Sequence, residues 1–260
     1  SVMSLRKMAQ VICNDANYVD DYTAPTWSLN SFDFATNNIF SGDSTISTTL
    51  NNAIVGSNKL WTLSLRFKRK TPLATTQVLF CRDKSSATSA RQIIVFFNTS
   101  NKLVVTVYTN STNSITFTST DSFADTRSWD EIAIVYAGTE ATVTNRITAY
   151  KNGFTLAGAT VQTGTFTTIN SITSPNVNIG GRSDAANFSS TKINNVALFN
   201  TNLSATNVRL LHNNRVPFDI RTNATLNANL VMFLSADTSS VFTTNWAWTD
   251  LISGGAFTSS

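Results

Sequence analysis

Residues Trp129–Gly153 read WDEIAIVYAGTEATVTNRITAYKNG. Two alternating apolar runs flank a polar connection. Trp129, Ile132, Ile134 and Tyr136 mark the apolar side of the first run, Ile147 and Ala149 that of the second. The second run ends at Asn152-Gly153 and resumes as FTLAGA. A type I′ turn needs positive φ at both central residues, so Asn-Gly after an alternating run is a strong hairpin signal. The stretch predicts antiparallel sheet with a tight turn at Asn152.

The same pattern extends in both directions. In LWTLSLRFKRK, Leu63, Leu65 and Phe67 alternate with Thr62, Ser64 and Arg66, the period of a half-buried strand. QVLFCRD, RQIIVFF, KLVVTVY and SITFTST follow at strand-like spacing, with a turn at Asn98 to Asn101. Later come NVNIGG, STKINNVALFN (apolar contacts Ile193, Val196, Leu198 and Phe199) and ANLVMFL. The one helix expected lies in NLSATNVRLLHNN, near residues 204–212, with Ser204 as N-cap and Leu203, Val208 and Leu211 at helical spacing. Short strands at such intervals describe a sandwich or barrel rather than βαβ units. The expected layout is an N-terminal arm over residues 1–25 and a single sandwich domain over residues 26–260.

Composition narrows the function classes. Of 260 residues, 42% are hydrophobic and 13% charged, about half the usual charged quarter. Thr, Ser and Asn take the place of charge, and Glu occurs only at Glu131 and Glu140. A formal net charge of +4 is modest. The basic run Arg66 to Lys70 alternates with Phe67 and is expected to be a solvated strand end, so no nucleic-acid partner is expected. No run of 18 apolar residues exists, so no membrane span is expected. Cys13 and Cys81 are too few for a disulfide-stapled fold or a zinc site, and spacing leaves their pairing open.

Four segments in order resemble the laminin-G-like, concanavalin A-like lectin–glucanase family. They are SFDFATNNIF, LWTLSLRFKRK, SWDEIAIVYAG with ITAYKNG, and VNIGG through STKINNVALFNTNLSATNVRLLHNN. The resemblance spans roughly residues 27–213 and rests on order and spacing. It implies an all-β fold: an antiparallel two-sheet jelly-roll sandwich with the short helix near residues 204–212. It is nearly silent on activity, because such sandwiches host lectins, hydrolases, adhesion modules and shell proteins alike. Family calcium sites need several carboxylates. Here Asn194 and Asn207 stand where acids are usual, and only Asp184 lies near the right region, so no metal or other cofactor is expected.

Catalytic constellations are missing. A glycosidase needs two carboxylates on one strand face flanking the scissile bond. Asp130 and Glu131 are adjacent and therefore point to opposite faces. His212, the sole histidine, reads as a helix-end residue rather than part of a triad. The chain is therefore expected not to be an enzyme. Candidate ligand contacts are Trp246 and Trp248, which alternate in NWAWTD as a sugar platform or as core, with Arg182 and Asp184 in the loop after Gly180-Gly181. The first expected function is a structural or display protein on a virus or phage particle, contacting other particle proteins or copies of itself, with adhesion to glycans or host surfaces as an added role. The second is a secreted lectin-like module binding glycans through rim loops near residues 83–90, 109–114 and 182–190. A glycoside hydrolase is a distant third. The expected location is the virion surface or the extracellular space.

Overall fold

A computed structural model describes residues 32–34, 40–72, 74–85, 87–182, 189–236 and 247–259. Two antiparallel sheets pack face to face. In chain order the elements are β1 (Phe32–Phe34), β2 (Phe40–Gly42), α1 (Ser44–Ile54), β3 (Leu60–Arg69), β4 (Gln77–Asp83), β5 (Arg91–Phe97), β6 (Lys102–Tyr108), β7 (Ser114–Ser122), β8 (Trp129–Ala137), β9 (Ile147–Lys151), β10 (Phe154–Thr155), β11 (Gly158–Thr163), β12 (Asn176–Ile179), β13 (Thr191–Phe199), α2 (Ala205–His212), α3 (Ala224–Asn227), β14 (Leu230–Ser235), β15 (Ala247–Thr249) and β16 (Ala256–Ser259). A seven-stranded sheet runs β1-β13-β3-β8-β9-β10, with β14 also on β13. A nine-stranded sheet runs β11-β7-β6-β5-β4-β12-β2-β16-β15. The architecture is the expected jelly-roll sandwich.

The opening stretch becomes β8, β9 and β10. Asn152 and Gly153 take φ of 52° and 80°, as a type I′ turn requires. The Asn152 side chain locks the hairpin to the strand beside it. Its Oδ1 accepts from the Glu131 amide at 2.8 Å, and its Nδ2 donates to Asp130 Oδ1 at 2.8 Å.

Between the sheets lies the main core, where Ile132, Ile134, Tyr136, Ile147 and Ala149 of this hairpin meet Leu79, Phe80, Val95, Val105 and Phe117 of the other sheet. Trp61 stacks on Tyr136 at 5.1 Å, while Phe67, Phe97 and Phe123 cluster at the opposite end. In β13 a register shift between Ile193 and Asn195 lets Ile193 and Val196 face the same core, although their spacing breaks period two.

Three expectations change. First, α1 is a helix that the sequence reading passes over. Asp43 caps it, accepting from the Thr45 and Ile46 amides at 2.9 and 3.1 Å, and Ile46, Leu50, Ala53 and Ile54 recur at helical spacing and are buried. Second, β3 is buried on both faces rather than half-buried, with Thr62, Ser64 and Arg66 as inaccessible as Leu63 and Leu65. Beside β3, the outer face of the seven-stranded sheet carries a second apolar cluster. Ala133, Val135, Tyr150, Ala197, Phe199 and Phe233 of the seven-stranded sheet lie under Leu203, Val208, Leu211, Ile220 and Leu226 from the α2–α3 segment.

Third, the basic run is not a solvated strand end. Arg66 and Arg69 are buried. Arg69 donates to the Phe123 carbonyl, Gln77 and Asn101 at 3.0, 2.6 and 3.0 Å, and its guanidinium lies 4.1 Å from the Phe97 ring centre. Burial depresses its pKa to about 10. Charge this deep needs hydrogen bonds to persist, and Arg69 has them.

Candidate functional site

Adjacent residues on a strand face opposite ways, and this alternation sorts the polar side chains of the nine-stranded sheet. A register shift between Val78 and Phe80 turns both Leu79 and Phe80 into the core and leaves Val78, Cys81 and Asp83 on the outer face of β4, while even positions of β5 place Ile94 and Phe96 there. The ladder sets Cys81 opposite both Ile94 and Asn178, Ile94 opposite Thr106, and Thr106 opposite Thr116. Ser41 of β2 lies opposite Asn178 and donates to its Oδ1 at 2.7 Å, while the Thr106 and Thr116 hydroxyls bond at 3.1 Å. Val78, Cys81 and Ile94 form a small apolar patch on this face, flanked by the half-buried rings of Phe96 and Tyr108.

At one end of that face the charges converge. Asp83 is fully buried, and Arg91 stands directly across the ladder from it. Arg182, from the segment that follows β12, brings its Nε to 3.9 Å from Asp83 Oδ2. Burial, then the charge of Asp83 and a hydrogen bond to it, push the Cys81 thiol up, so it remains a protonated donor. The result is a buried carboxylate with two guanidiniums beside it, at one end of a face that carries hydroxyl, amide and aromatic groups. Such a surface can form paired hydrogen bonds to neighbouring hydroxyls while a ring covers an apolar sugar face.

A second concavity, a cleft of about 250 Å³, opens where α1 meets Ser174, Pro175 and Asn176. Its polar lining is largely engaged. Asp43 caps the helix and also accepts from the Ala256 amide, Ser47 donates to the Pro175 carbonyl, and Asn51 accepts from Arg82.

The acidic pair of the opening stretch splits as its adjacency dictates. Asp130 bonds to Asn152 and pairs with Lys151 Nζ at 3.4 Å. Glu131 faces the other way, under α2, with its Oε2 3.9 Å from His212 Nδ1. Arg66 and Asn195 join them around a cavity of about 10 Å³, room for roughly one water.

Among the four ligand contacts expected from sequence, Arg182 lies at the charged end of the outer face. Trp248 is fully buried in the main core, edge-on to Phe40 at 6.2 Å, so it serves as core and not as a sugar platform. Trp246 and Asp184 fall outside the described residues, as do Cys13 and the N-terminal arm. Asp83 entered the sequence reading only as the start of a rim loop, while Arg91, Phe96 and Tyr108 were not singled out as contacts. Period two in RQIIVFF places Phe96 by face, but register shifts beside Val78 and Asp83 break the alternation that would place Asp83 and Arg91, and only the ladder shows which residues share the outer face. Among the described residues no group of three or more His, Cys, Asp or Glu side chains gathers as metal ligands.

Residues 40–209 match the model of the concanavalin A-like lectin/glucanases superfamily, and the chain belongs to that family. No curated protein matches. Among solved structures, an inferred carbohydrate-binding protein of Bacteroides ovatus superposes with a TM-score of 0.59 at 14% identity over 88% of this chain. The chain spans 57% of that protein's length. The CBM40 domain of a Ruminococcus gnavus sialidase, bound to α2,3-sialyllactose, gives 0.51 at 12% identity over 70% of this chain and 96% of its own. A sialidase of Streptococcus pneumoniae gives 0.50 at 19% identity over 69% of this chain and 27% of its own. At these identities the likeness is one of fold.

Proposed function

We propose that this chain is a non-catalytic, lectin-like carbohydrate-binding module that works outside the cell, with the outer face of the nine-stranded sheet as its sugar-binding surface. One observation carries the reading: Asp83, Arg91 and Arg182 converge at one end of an outer face that also carries Tyr108, the Thr106–Thr116 hydroxyl pair and, towards its other end, the Phe96 ring. A pyranose offers an apolar face and a rim of hydroxyls. Aromatic rings cover the first, and the half-buried guanidiniums of Arg91 and Arg182, held by the buried Asp83 carboxylate, bond the second. The Bacteroides and Ruminococcus neighbours, one inferred to bind carbohydrate and the other holding a sialylated sugar, support the same reading. Display on a virus particle, expected first from composition, gains no support from the family or from these neighbours.

Binding rather than cleavage fits the carboxylates. Asp130 and Glu131 are committed on opposite faces of β8, and Asp83 faces Arg91 and Asn176 across its two ladders, neither of them an acid. A two-carboxylate hydrolysis has no pair to use there.

The test is a glycan array run with and without Ca²⁺. Binding to a defined glycan set in both conditions is expected, with signal lost in Arg182→Ala and Tyr108→Ala proteins that melt like the parent. Blank arrays in both conditions would sink the reading.

A further inference from the structure

The cleft of about 250 Å³ between α1 and residues 174–176 shares a residue with the charged end of the outer face. Asn176 lines the cleft and stands directly across the ladder from Asp83, which in turn stands across from Arg91. Ser41, the residue before Gly42 of the lining, bonds Asn178 on the outer face at 2.7 Å. Two strand spacings, about 10 Å, separate Asn176 from Arg91.

The lining selects a class of ligand. Small polar side chains dominate it: Ser44, Ser47, Thr48 and Asn51 from α1, with Ser174 and Asn176 opposite them in sequence. Its one charged group, Asp43, is occupied by the amides of Thr45, Ile46 and Ala256. A single engaged carboxylate cannot supply the several oxygen ligands of a calcium ion. Among the described lining residues none is Lys or Arg, so nothing there fixes an anion, and Pro175 is the one sizeable apolar side chain. Hydroxyls and amides of this kind suit a neutral, polyhydroxylated ring.

Arg82 prepares one of the donors. Its fully buried guanidinium donates to Asn51 Oδ1 at 2.8 Å and to the Ser47 carbonyl at 3.1 Å. Asn51 Oδ1 is thereby set as the acceptor, and Nδ2 remains to donate to a ligand. The Ser44 and Ser174 hydroxyls and the Asn176 amide add both donors and acceptors.

We propose that this cleft takes one neutral sugar residue of a glycan whose next residue lies against Arg91 and Arg182, with Asn176 at the junction. The volume falls below the ~300 Å³ at which pockets for drug-sized ligands begin, so it holds one ring rather than a chain. A single ring does not reach from the cleft to Arg91, whereas two linked rings do. The inference rests on the sugar-binding reading above and sharpens it: the ligand is an oligosaccharide and not a single terminal sugar.

Titration calorimetry on the full chain tests it with galactose, glucose, mannose and sialic acid and with the di- and trisaccharides that link them. The parent is expected to bind its best trisaccharide at least tenfold more tightly than any component monosaccharide. Thr48→Leu fills the cleft from an exposed helix position, and Asn176→Ala removes the shared amide. Both proteins are expected to melt like the parent and to bind that trisaccharide at least fivefold more weakly. Folded cleft variants that bind it as the parent does overturn the cleft and leave the outer-face reading standing. A parent that gains nothing from the second sugar residue does the same. Absence of binding to every sugar of the panel rejects both.

Discussion

Asn152 holds a left-handed backbone and two side-chain hydrogen bonds at once, so the residue type is doubly specified. Asn152→Ala is expected to destabilise the fold by about 2–3 kcal/mol, combining positive-φ strain with a lost bond to the Glu131 amide. Asn152→Gly keeps the backbone and should cost about 1–2 kcal/mol; urea titration compares the two. Cys81 gives a different readout. A buried, protonated thiol should resist alkylation in the native state and react only on unfolding, as peptide mass mapping would show. The two sites were unequally legible in the sequence. Asn152 is visible because its turn and preceding strand are local, whereas Asp83, Arg91 and Arg182 meet through pairings between segments far apart in the chain. No local pattern encodes which strands lie side by side.

Among the elements, α1 shows how a helix hides in a β-rich sequence. STISTTLNNAI is mostly Ser, Thr, Asn and Ile, poor helix formers, so composition points away from a helix. Its cap and buried face decide instead. Asp43→Ala removes the cap and the tie to the Ala256 amide, an expected loss of about 1–2 kcal/mol measurable by thermal melting. The turn Ile220–Thr222, which helps cover the second cluster, should carry a pH signature. Hydrogen bonds from Arg221 hold the Asp219 carboxyl below the usual carboxylate range, against a smaller opposing effect of burial. A carboxyl whose folded pKa is depressed contributes stability in full above its unfolded value, about 3.9, and loses it as pH falls through the lower folded value. The pair is partly exposed, so the effect is small. Urea midpoints followed from pH 5 to pH 2 should drop slightly less in Asp219→Asn than in the parent.

On the scale of the whole molecule, the chain is a two-sheet sandwich with a third layer on one side. The sheets were legible because period two and turn residues repeat along the sequence. The covering layer was not, since Leu203, Val208 and Leu211 reveal an amphipathic helix but not which surface it covers. Leu211→Ala, at the centre of that cover, is expected to cost about 2–4 kcal/mol by urea unfolding. The order of pairing in the sheets also has a kinetic consequence. Hairpins such as β5–β6 and β8–β9 close within a few dozen residues, but β3 pairs with β13, and β2 with both β12 and β16. These closures carry a large loop entropy and reward the chain only when complete. Pulsed hydrogen exchange during refolding should therefore protect the β5–β6 and β8–β9 amides first and those of β2 and β13 last. During synthesis, β3 can pair on one side once β8 is made, but its other side must wait for β13, made more than a hundred residues later.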